Sequence, residues 1–371
     1  VLAYALFFVV LMDPWAVLSP GFWLSFGAVA VIAFALGGRL GRSNWLLATA
    51  KTQWVVTLGL VPFLLLWFQQ VSLISPVANA IAIPVISLLV VPLALMGSIF
   101  SMNWVLLLSH WILAQTMAVL RWLAMLPVSV WQQHIPPTWS FILAMLGLMW
   151  LFLPKGFPLR FLGLTFCFPM FLMMPSQPLQ GEMVVTVLDV GQGLALVLQT
   201  EHHVLLYDAG PKTSLESDAG ERVILPHLRA EGIRKLDGMV ISHNDNDHSG
   251  GMLSVINQVP TQWLLSSLPA EVDGVKSLKC AGDQYWQWDG VSFEVLGPAI
   301  STYAEDIKDN NRSCVLLVKS KYGSIILPGD IERDAEQALM ESDAKRLSAD
   351  VLVVPHHGSK TSSGPNFIDA V

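Results

Sequence analysis

Long apolar runs fill the first 175 positions of the chain, and from Met183 onward short apolar runs alternate with turns rich in Gly, Pro, Asn and Asp. A bilayer core about 30 Å thick takes roughly 20 apolar residues per helix, somewhat fewer where flanking side chains snorkel. The first half therefore predicts about seven spans: Val1 to Met12, Phe22 to Leu36, Trp54 to Phe68, Ala78 to Phe100, Trp104 to Leu126, Trp139 to Leu153 and Phe161 to Met174. The first reads as the tail of a truncated helix. Eleven of the fourteen Trp lie in this half, and Trp15, Trp54, Trp67, Trp104, Trp139 and Trp150 stand near span ends, the interface such side chains favour; others fit helix contacts equally well. The stretch Ser75 to Pro84, followed by Pro92 and Gly97, predicts an interrupted helix, because each Pro removes a backbone hydrogen bond. Broken helices at membrane depth pack in protein or line watery cavities, so Pro76, Asn79 and Pro84 are pore candidates; kinks that serve helix packing are the alternative.

The period changes after residues 176–181, a short uncharged segment that reads, with Pro175, as a linker. Strands are predicted at Met183 to Leu188, Leu194 to Leu198, Val204 to Tyr207, Gly238 to Ser242, Trp263 to Leu265, Val291 to Leu296, Cys314 to Ser320, Ser324 to Leu327 and Val351 to Val354. Helices are predicted at Glu221 to Ala230, Gly251 to Gln258 and Ile331 to Glu341. Strand runs at both ends with helices between them predict a mixed α/β layered sandwich over residues 182–371.

Composition agrees with two unlike halves. At 53% hydrophobic and 13% charged, the chain does not fit an all-soluble protein, a disordered chain or a coiled coil. Residues 1–175 hold six Lys/Arg and one acid, net +5, whereas residues 176–371 hold 15 bases and 27 acids, net −12. Lys and Arg accumulate on the cytoplasmic side, so Arg39, Arg42 and Lys51 place loop 37–53 inside, and Lys155 with Arg160 place loop 154–160 inside. Four spans separate these loops, an even number, so the two assignments agree. The last span then delivers the acidic half to the outer face, while Arg121, near the outer end of its span, must snorkel or face a cavity. Cys280 and Cys314 can pair in an oxidising compartment or remain two buried thiols, and Cys167 falls in an apolar run.

The chemistry gathers at Ile241-Ser-His-Asn-Asp-Asn-Asp-His-Ser-Gly-Gly251, between a predicted strand and a predicted helix. His243, Asp245, Asp247 and His248 crowd that turn, and two imidazoles with two carboxylates are ligands a divalent cation takes. Asp208, Asp330 and the pair His356-His357 each follow an apolar strand beside Gly, where a sheet rim builds sites. Singly these are ordinary turns; jointly they mark a site.

These residues resemble the metallo-β-lactamase superfamily, whose usual signature is His-x-His-x-Asp-His. Asp189-Val-Gly-Gln-Gly193, Ser242 to Gly251, Leu327-Pro-Gly-Asp330 and Pro355-His-His-Gly-Ser359 resemble more narrowly the C-terminal domain of ComEC-type DNA-uptake channels, and Leu18-Ser-Pro-Gly-Phe-Trp-Leu-Ser-Phe26 is similar to their membrane domain. The resemblance implies a helical membrane bundle followed by an αββα sandwich, truncated at its C-terminus. It also implies a multi-pass protein of the bacterial inner membrane that passes one DNA strand to the cytoplasm, with an outer (periplasmic) nuclease domain degrading the other strand. The implied partners are DNA, the lipid bilayer, other DNA-uptake proteins and further copies of the chain.

By the same resemblance His243, Asp245, Asp247, His248, Asp330 and His356 are metal positions, with Asp330 bridging two ions and Asp247, His248 and Asp330 closest to the chemistry. Asp245 replaces the usual second His, and no His lies between His248 and His356 to serve as the middle ligand. The harder donor set favours Mn²⁺ or Mg²⁺, with Zn²⁺ the alternative, as one or two ions. Asn310, Asn311 and Ser313 fall where that His is missing and are expected to orient ligands, while His357, Ser359 and Lys360 are candidates for touching phosphate or ligands. A net −12 domain repels a polyanion at long range, which opposes DNA binding without cations or a local groove. A hydrolase of small phosphoesters or envelope components, and a channel with an inactive external domain, remain alternative readings.

Overall fold

A computed structural model describes residues 1–37, 44–154, 156–214, 217–267 and 272–371. The orientation residues Arg39, Arg42 and Lys155 lie outside the described residues. The chain divides into two compact units, Val1–Pro175 and Ser176–Val371.

In the first unit, three helical stretches are long and apolar enough to cross a membrane: Leu47–Phe68, Ser75–Ile99 and Asn103–Ala124. Shorter apolar helices are Leu2–Met12, Pro20–Leu36, Thr138–Leu151 and Arg160–Leu172. The helix expected from Trp54 begins at Trp45, so Lys51 stands in its early turns rather than in a loop. Nor is the Pro-rich segment broken. Pro76 falls in the first turn, where a missing N–H costs nothing, and the chain passes Pro84 into a widened turn at Ile86–Val90 that absorbs the disturbance. The buried Ser109 hydroxyl donates to the Val90 carbonyl of that turn at 2.9 Å. Pro76 is half-buried, whereas Asn79 and Pro84 are exposed on this unit.

Two glycines set the closest packing in the unit. Helix Thr138–Leu151 meets the 3₁₀ turn Arg160–Cys167 at Gly147 and Gly163, where a Cβ on either residue would overlap the other's carbonyl oxygen. At one end of the bundle, Gln70–Ser72 pairs antiparallel with Val130–Gln132, and Gln133 Nε2 donates to the Met170 carbonyl at 2.9 Å. Residues 70–72, 130–133 and 170 thus share an end. Lys51 and Arg160 belong to the opposite helix ends.

The second unit has two sheets. In the first the order is Lys276–Lys279, Trp263–Ser266, Gly238–Ile241, Val204–Tyr207, Leu196–Gln199 and Val184–Val187; the first four run parallel and the last two pair antiparallel. The second runs Tyr285–Trp288, Val291–Gly297, Val315–Lys319, Ser324–Leu327 and Val351–Leu352, antiparallel except for its final parallel pair. Three apolar layers hold the unit. Leu198, Leu205, Val240, Phe293, Leu316 and Leu327 fill the space between the sheets. Val197, Leu206, Met239, Leu228 and Val255 pack the outer face of the first sheet under its helices, and Leu317, Ile326, Leu339 and Phe367 do the same for the second. The unit is an αββα sandwich, since each sheet buries one face on the other and its second face under helix. Cys280 and Cys314, which flank strands of different sheets, are joined as a disulfide with Cα atoms 5.9 Å apart, ordinary spacing for such a bond.

Candidate metal centre

Strand ends of both sheets meet at one rim. Val204–Tyr207 leads into Asp208, and its parallel neighbour Gly238–Ile241 into Ser242 and His243. Ser324–Leu327 leads through Gly329 into Asp330, and its parallel partner Val351–Leu352 toward His356 and His357. Backbone bonds from Cys314 N to Ser242 O (2.9 Å) and from His356 N to Gly329 O (3.2 Å) lock these ends together. Only glycine suits position 329: φ is +61°, and a Cβ would lie 2.8 Å from the Cβ atoms of Ser242 and Ser313. Asp208, His356 and His357 also hold left-handed backbone (φ 58°, 52° and 51°), a costly state that clusters at functional sites.

Four residues converge. Asp247, His248, Asp330 and His357 each offer a ligand atom within 4.8 Å of the others. His248 Nε2 lies 3.1 Å from Asp330 Oδ1 and 3.1 Å from His357 Nε2, and His357 Nε2 lies 3.3 Å from Asp247 Oδ2. Alongside, the His243 and His248 rings approach to 4.3 Å between centroids, and His243 Nε2 stands 3.4 Å from Asp245 Oδ2. The sequence places His356 among the ligands and His357 beside them; in the structure His357 is the one that joins the close group. Two consecutive left-handed residues swing His357 over Asp247, leaving His356 Nε2 3.9 Å from Asp330 Oδ2 and outside the close group.

Beneath the ligands lies a buried anchor. Asp208, with no exposed surface, accepts from Ser242 N (2.7 Å), Ser242 Oγ (2.9 Å) and His248 Nδ1 (2.8 Å). Ser242 Oγ also sits 3.0 Å from His243 Nδ1. With both Nδ1 edges engaged, Nε2 of each imidazole is the edge left for a cation, the usual arrangement of metal-binding histidines. His243 Nε2 is buried and makes no hydrogen bond. An orphaned imidazole nitrogen beside a carboxylate, next to a four-residue His/Asp group, fits a divalent cation.

Electrostatics agree. Burial lowers the His243 pKa and the neighbouring His248 lowers it further, so its nitrogen is a free lone pair at neutral pH. Burial would also lower His248, but Asp208 and Asp330 outweigh it and push its pKa up to about 10. Burial would raise the Asp330 pKa; bonding to His248 and the charges of His248, His243 and His357 bring it below the ordinary value. Without metal, His248 is therefore protonated at neutral pH, and a cation must displace that proton. Titration of the chain with Mn²⁺ between pH 6 and 9 should release protons, and the apparent Kd should fall about tenfold per pH unit for each proton released. Calorimetry in buffers of different ionisation enthalpy reads both; a pH-independent Kd would contradict the arrangement.

The remaining candidates divide by contact. Ser313 Oγ accepts from Asp330 N at 3.1 Å, and Asn311 Oδ1 accepts from Glu332 N at 2.8 Å, so both brace the segment carrying Asp330. Asn310 Nδ2 lies 3.5 Å from His356 Nε2. Ser359 Oγ contacts Thr361 Oγ1, which reaches His356 Nδ1 at 3.2 Å, so Ser359 acts on its own loop. Lys360 is exposed and gives its carbonyl to Arg333. Ser242 and Glu336 were not anticipated. Glu336, buried on helix Arg333–Asp343, accepts from Ser363 N and Gly364 N and fixes the loop after the His pair.

Two facing sheets under helices, with His and Asp at the strand-end rim, define a metallo-β-lactamase-fold domain that follows an apolar helical unit. Residues 188–371 match the metallo-beta-lactamase superfamily, and residues 1–158 match the competence protein family. The chain thus joins a competence-protein region to a metallo-beta-lactamase-superfamily domain, an order consistent with ComEC-type competence proteins. It is 35% identical to competence protein ComA of Neisseria gonorrhoeae, across 99% of this chain and 51% of that protein. It is 30% identical to recombination protein 2 of Haemophilus influenzae, across 98% of this chain and 51% of that one. The chain thus spans about half the length of these relatives. Among solved structures, a metallo-beta-lactamase of Cronobacter sakazakii aligns over 48% of this chain and 73% of its own at 16% identity, TM-score 0.32.

Proposed function

We propose that this chain is the channel and hydrolase portion of a DNA-uptake protein of the bacterial inner membrane, with the second unit a metal-dependent phosphodiesterase on the outer face. The observation that carries the catalytic part is the buried, unbonded His243 Nε2 beside the Asp247, His248, Asp330 and His357 group. Asp247, His248, Asp330 and His357 would hold one cation, and His243 with Asp245 would contribute to a second that shares Asp330. A cation bound there supplies Lewis-acid activation of water and neutralises charge on an attacked phosphate. Asp208 and Ser242 orient the two imidazoles, and exposed Lys360 is available to meet a phosphate. In the first unit Asn79, Pro76 and Pro84 remain the pore candidates.

The outer orientation has two supports. Residues 70–72, 130–133 and 170 share one bundle end, from which the chain runs directly into the second unit, while Lys51 and Arg160 belong to the other, cytoplasmic end. The Cys280–Cys314 disulfide suits an oxidising compartment. The match of residues 1–158 to the competence protein family supports DNA as the transported molecule.

The test uses the whole chain in detergent or nanodiscs, with Mn²⁺, Mg²⁺ or Zn²⁺ and labelled single- and double-stranded DNA beside bis(p-nitrophenyl) phosphate. Cleavage of DNA that disappears in Asp247→Ala is the expected result. Cleavage of the small diester alone would assign the site to small phosphoesters, and no cleavage with any cation would leave a channel with an inactive domain.

A further inference from the structure

Only three tryptophans lie outside the apolar half of the chain, and all three, Trp263, Trp286 and Trp288, line one cavity of about 280 Å³. Lys276, Leu278 and Tyr285 complete most of its wall. The cavity opens where the edge strands of the two sheets, Lys276–Lys279 and Tyr285–Trp288, face each other. Trp263 begins its strand, opposite Gly238 at the start of the parallel neighbour that ends at the metal rim, so the cavity lies toward the far strand ends from the metal centre.

Its walls are held before any ligand arrives. Trp288 stacks on His203 at 5.0 Å and 7°, and that imidazole is fixed by Asp289 at 3.0 Å. Trp286 stacks on Phe293 at 5.1 Å and 5°, and Trp263 meets Trp286 edge-on at 5.4 Å. Gly238 leaves the space that the Trp263 ring occupies, since a Cβ there would overlap the indole.

These rings cap the apolar layer between the sheets, but a cap alone would close on itself, because protein interiors pack without voids of this size. Instead Tyr285 is 61% exposed and Leu278 37% exposed at the opening. Among the described residues Lys276 is the only charged one lining the cavity, in a unit of net −12. A cavity just under the range for drug-sized ligands, walled by rings and carrying one ammonium, is complementary to a planar aromatic group attached to an anion. Resting on the reading of the second unit as one that handles nucleic acid, we propose that this cavity takes a base of single-stranded DNA, stacked against the aromatic wall with its phosphate at Lys276.

The experiment uses the whole chain in detergent with EDTA present, so that failure of the hydrolase reading would leave it intact. The probe is fluorescein-labelled dT₁₂, followed by anisotropy. Tyr285→Ala, at an exposed position outside the core, should weaken binding roughly tenfold, and Lys276→Gln should weaken it and reduce the salt dependence by about one phosphate contact. An abasic strand of the same length should bind the wild-type chain as weakly as dT₁₂ binds Tyr285→Ala. A dT₁₂ carrying 5-iodouracil should crosslink to residues 263 or 285–288. The proposal is overturned if both variants bind dT₁₂ like wild type, if the abasic strand binds equally well, or if the substitutions alter self-association of the chain but not its DNA binding.

Discussion

Asp330→Asn should lower metal-dependent phosphodiester hydrolysis by about 10³-fold, the loss of several kcal/mol of charge stabilisation at the reacting centre. The substitution keeps volume and shape, so a fall of that size is a charge effect. Asp330 Oδ1 is 3.1 Å from His248 Nε2, and its Oδ2 is 3.6 Å from His357 Nε2 and 3.9 Å from His356 Nε2, so one carboxylate faces three imidazoles. Asparagine offers a single oxygen and no charge, and cannot bridge two cations. The measurement is kcat/KM for bis(p-nitrophenyl) phosphate in saturating Mn²⁺, with the thermal unfolding midpoint recorded beside it. An unchanged midpoint with the large rate loss is the expected pairing; a rate within tenfold of wild type would remove Asp330 from the chemistry.

The second large effect belongs to a residue that touches no cation. Asp208→Ala removes the acceptor for Ser242 N, Ser242 Oγ and His248 Nδ1, all inside a fully buried pocket. Stranding a buried charge partner costs about 3–5 kcal/mol, a large share of the roughly 5–15 kcal/mol by which domains are stable. The second unit should therefore unfold at a much lower temperature, and protease digestion of the whole chain should cut within residues 176–371. Asp208→Asn is the milder case. Its amide can present N–H toward His248 Nδ1, turning that imidazole so that Nε2 carries the proton and cannot ligate. Mn²⁺ affinity should then drop by about 10- to 100-fold with little loss of fold. Equal behaviour of the two variants would mean that Asp208 is purely structural.

Much of this site is legible before any coordinates. His243, Asp245, Asp247 and His248 fall within six positions of one strand-to-helix turn, where local spacing alone forces proximity. Asp208 and Asp330 are readable because a carboxylate directly after an apolar strand stands at a sheet rim. The choice between His356 and His357 is not readable, since it depends on two successive left-handed residues that no pattern of side-chain types announces. Ser242 is hidden for a different reason: a serine closing an apolar strand is an ordinary strand end, and its bonds to Asp208 and, at 3.3 Å, to His248 Nδ1 exist only once the neighbouring strand end is brought beside it.

Among the elements, the sandwich follows from short apolar runs closed by turns, yet strands Lys276–Lys279 and Tyr285–Trp288 escape that pattern. The first begins and ends in exposed Lys, and the second breaks its aromatic run with Gln287, so neither edge strand shows an apolar run. In the apolar half, the count of prolines overstated the break near Pro84, because the chain continues helically through a widened turn at Ile86–Val90. Helix starts such as Trp45 are obscured where polar residues continue a helix beyond its apolar stretch.

The proposed centre would hold a cation through Asp247, His248, Asp330 and His357. Electron paramagnetic resonance titration of the whole chain with Mn²⁺ measures this directly, comparing wild type with His357→Ala and His356→Ala. The geometry predicts a saturable site whose affinity falls by at least about tenfold in His357→Ala and much less in His356→Ala. No saturable Mn²⁺ in the wild-type chain, or loss in His356→Ala with retention in His357→Ala, would contradict it.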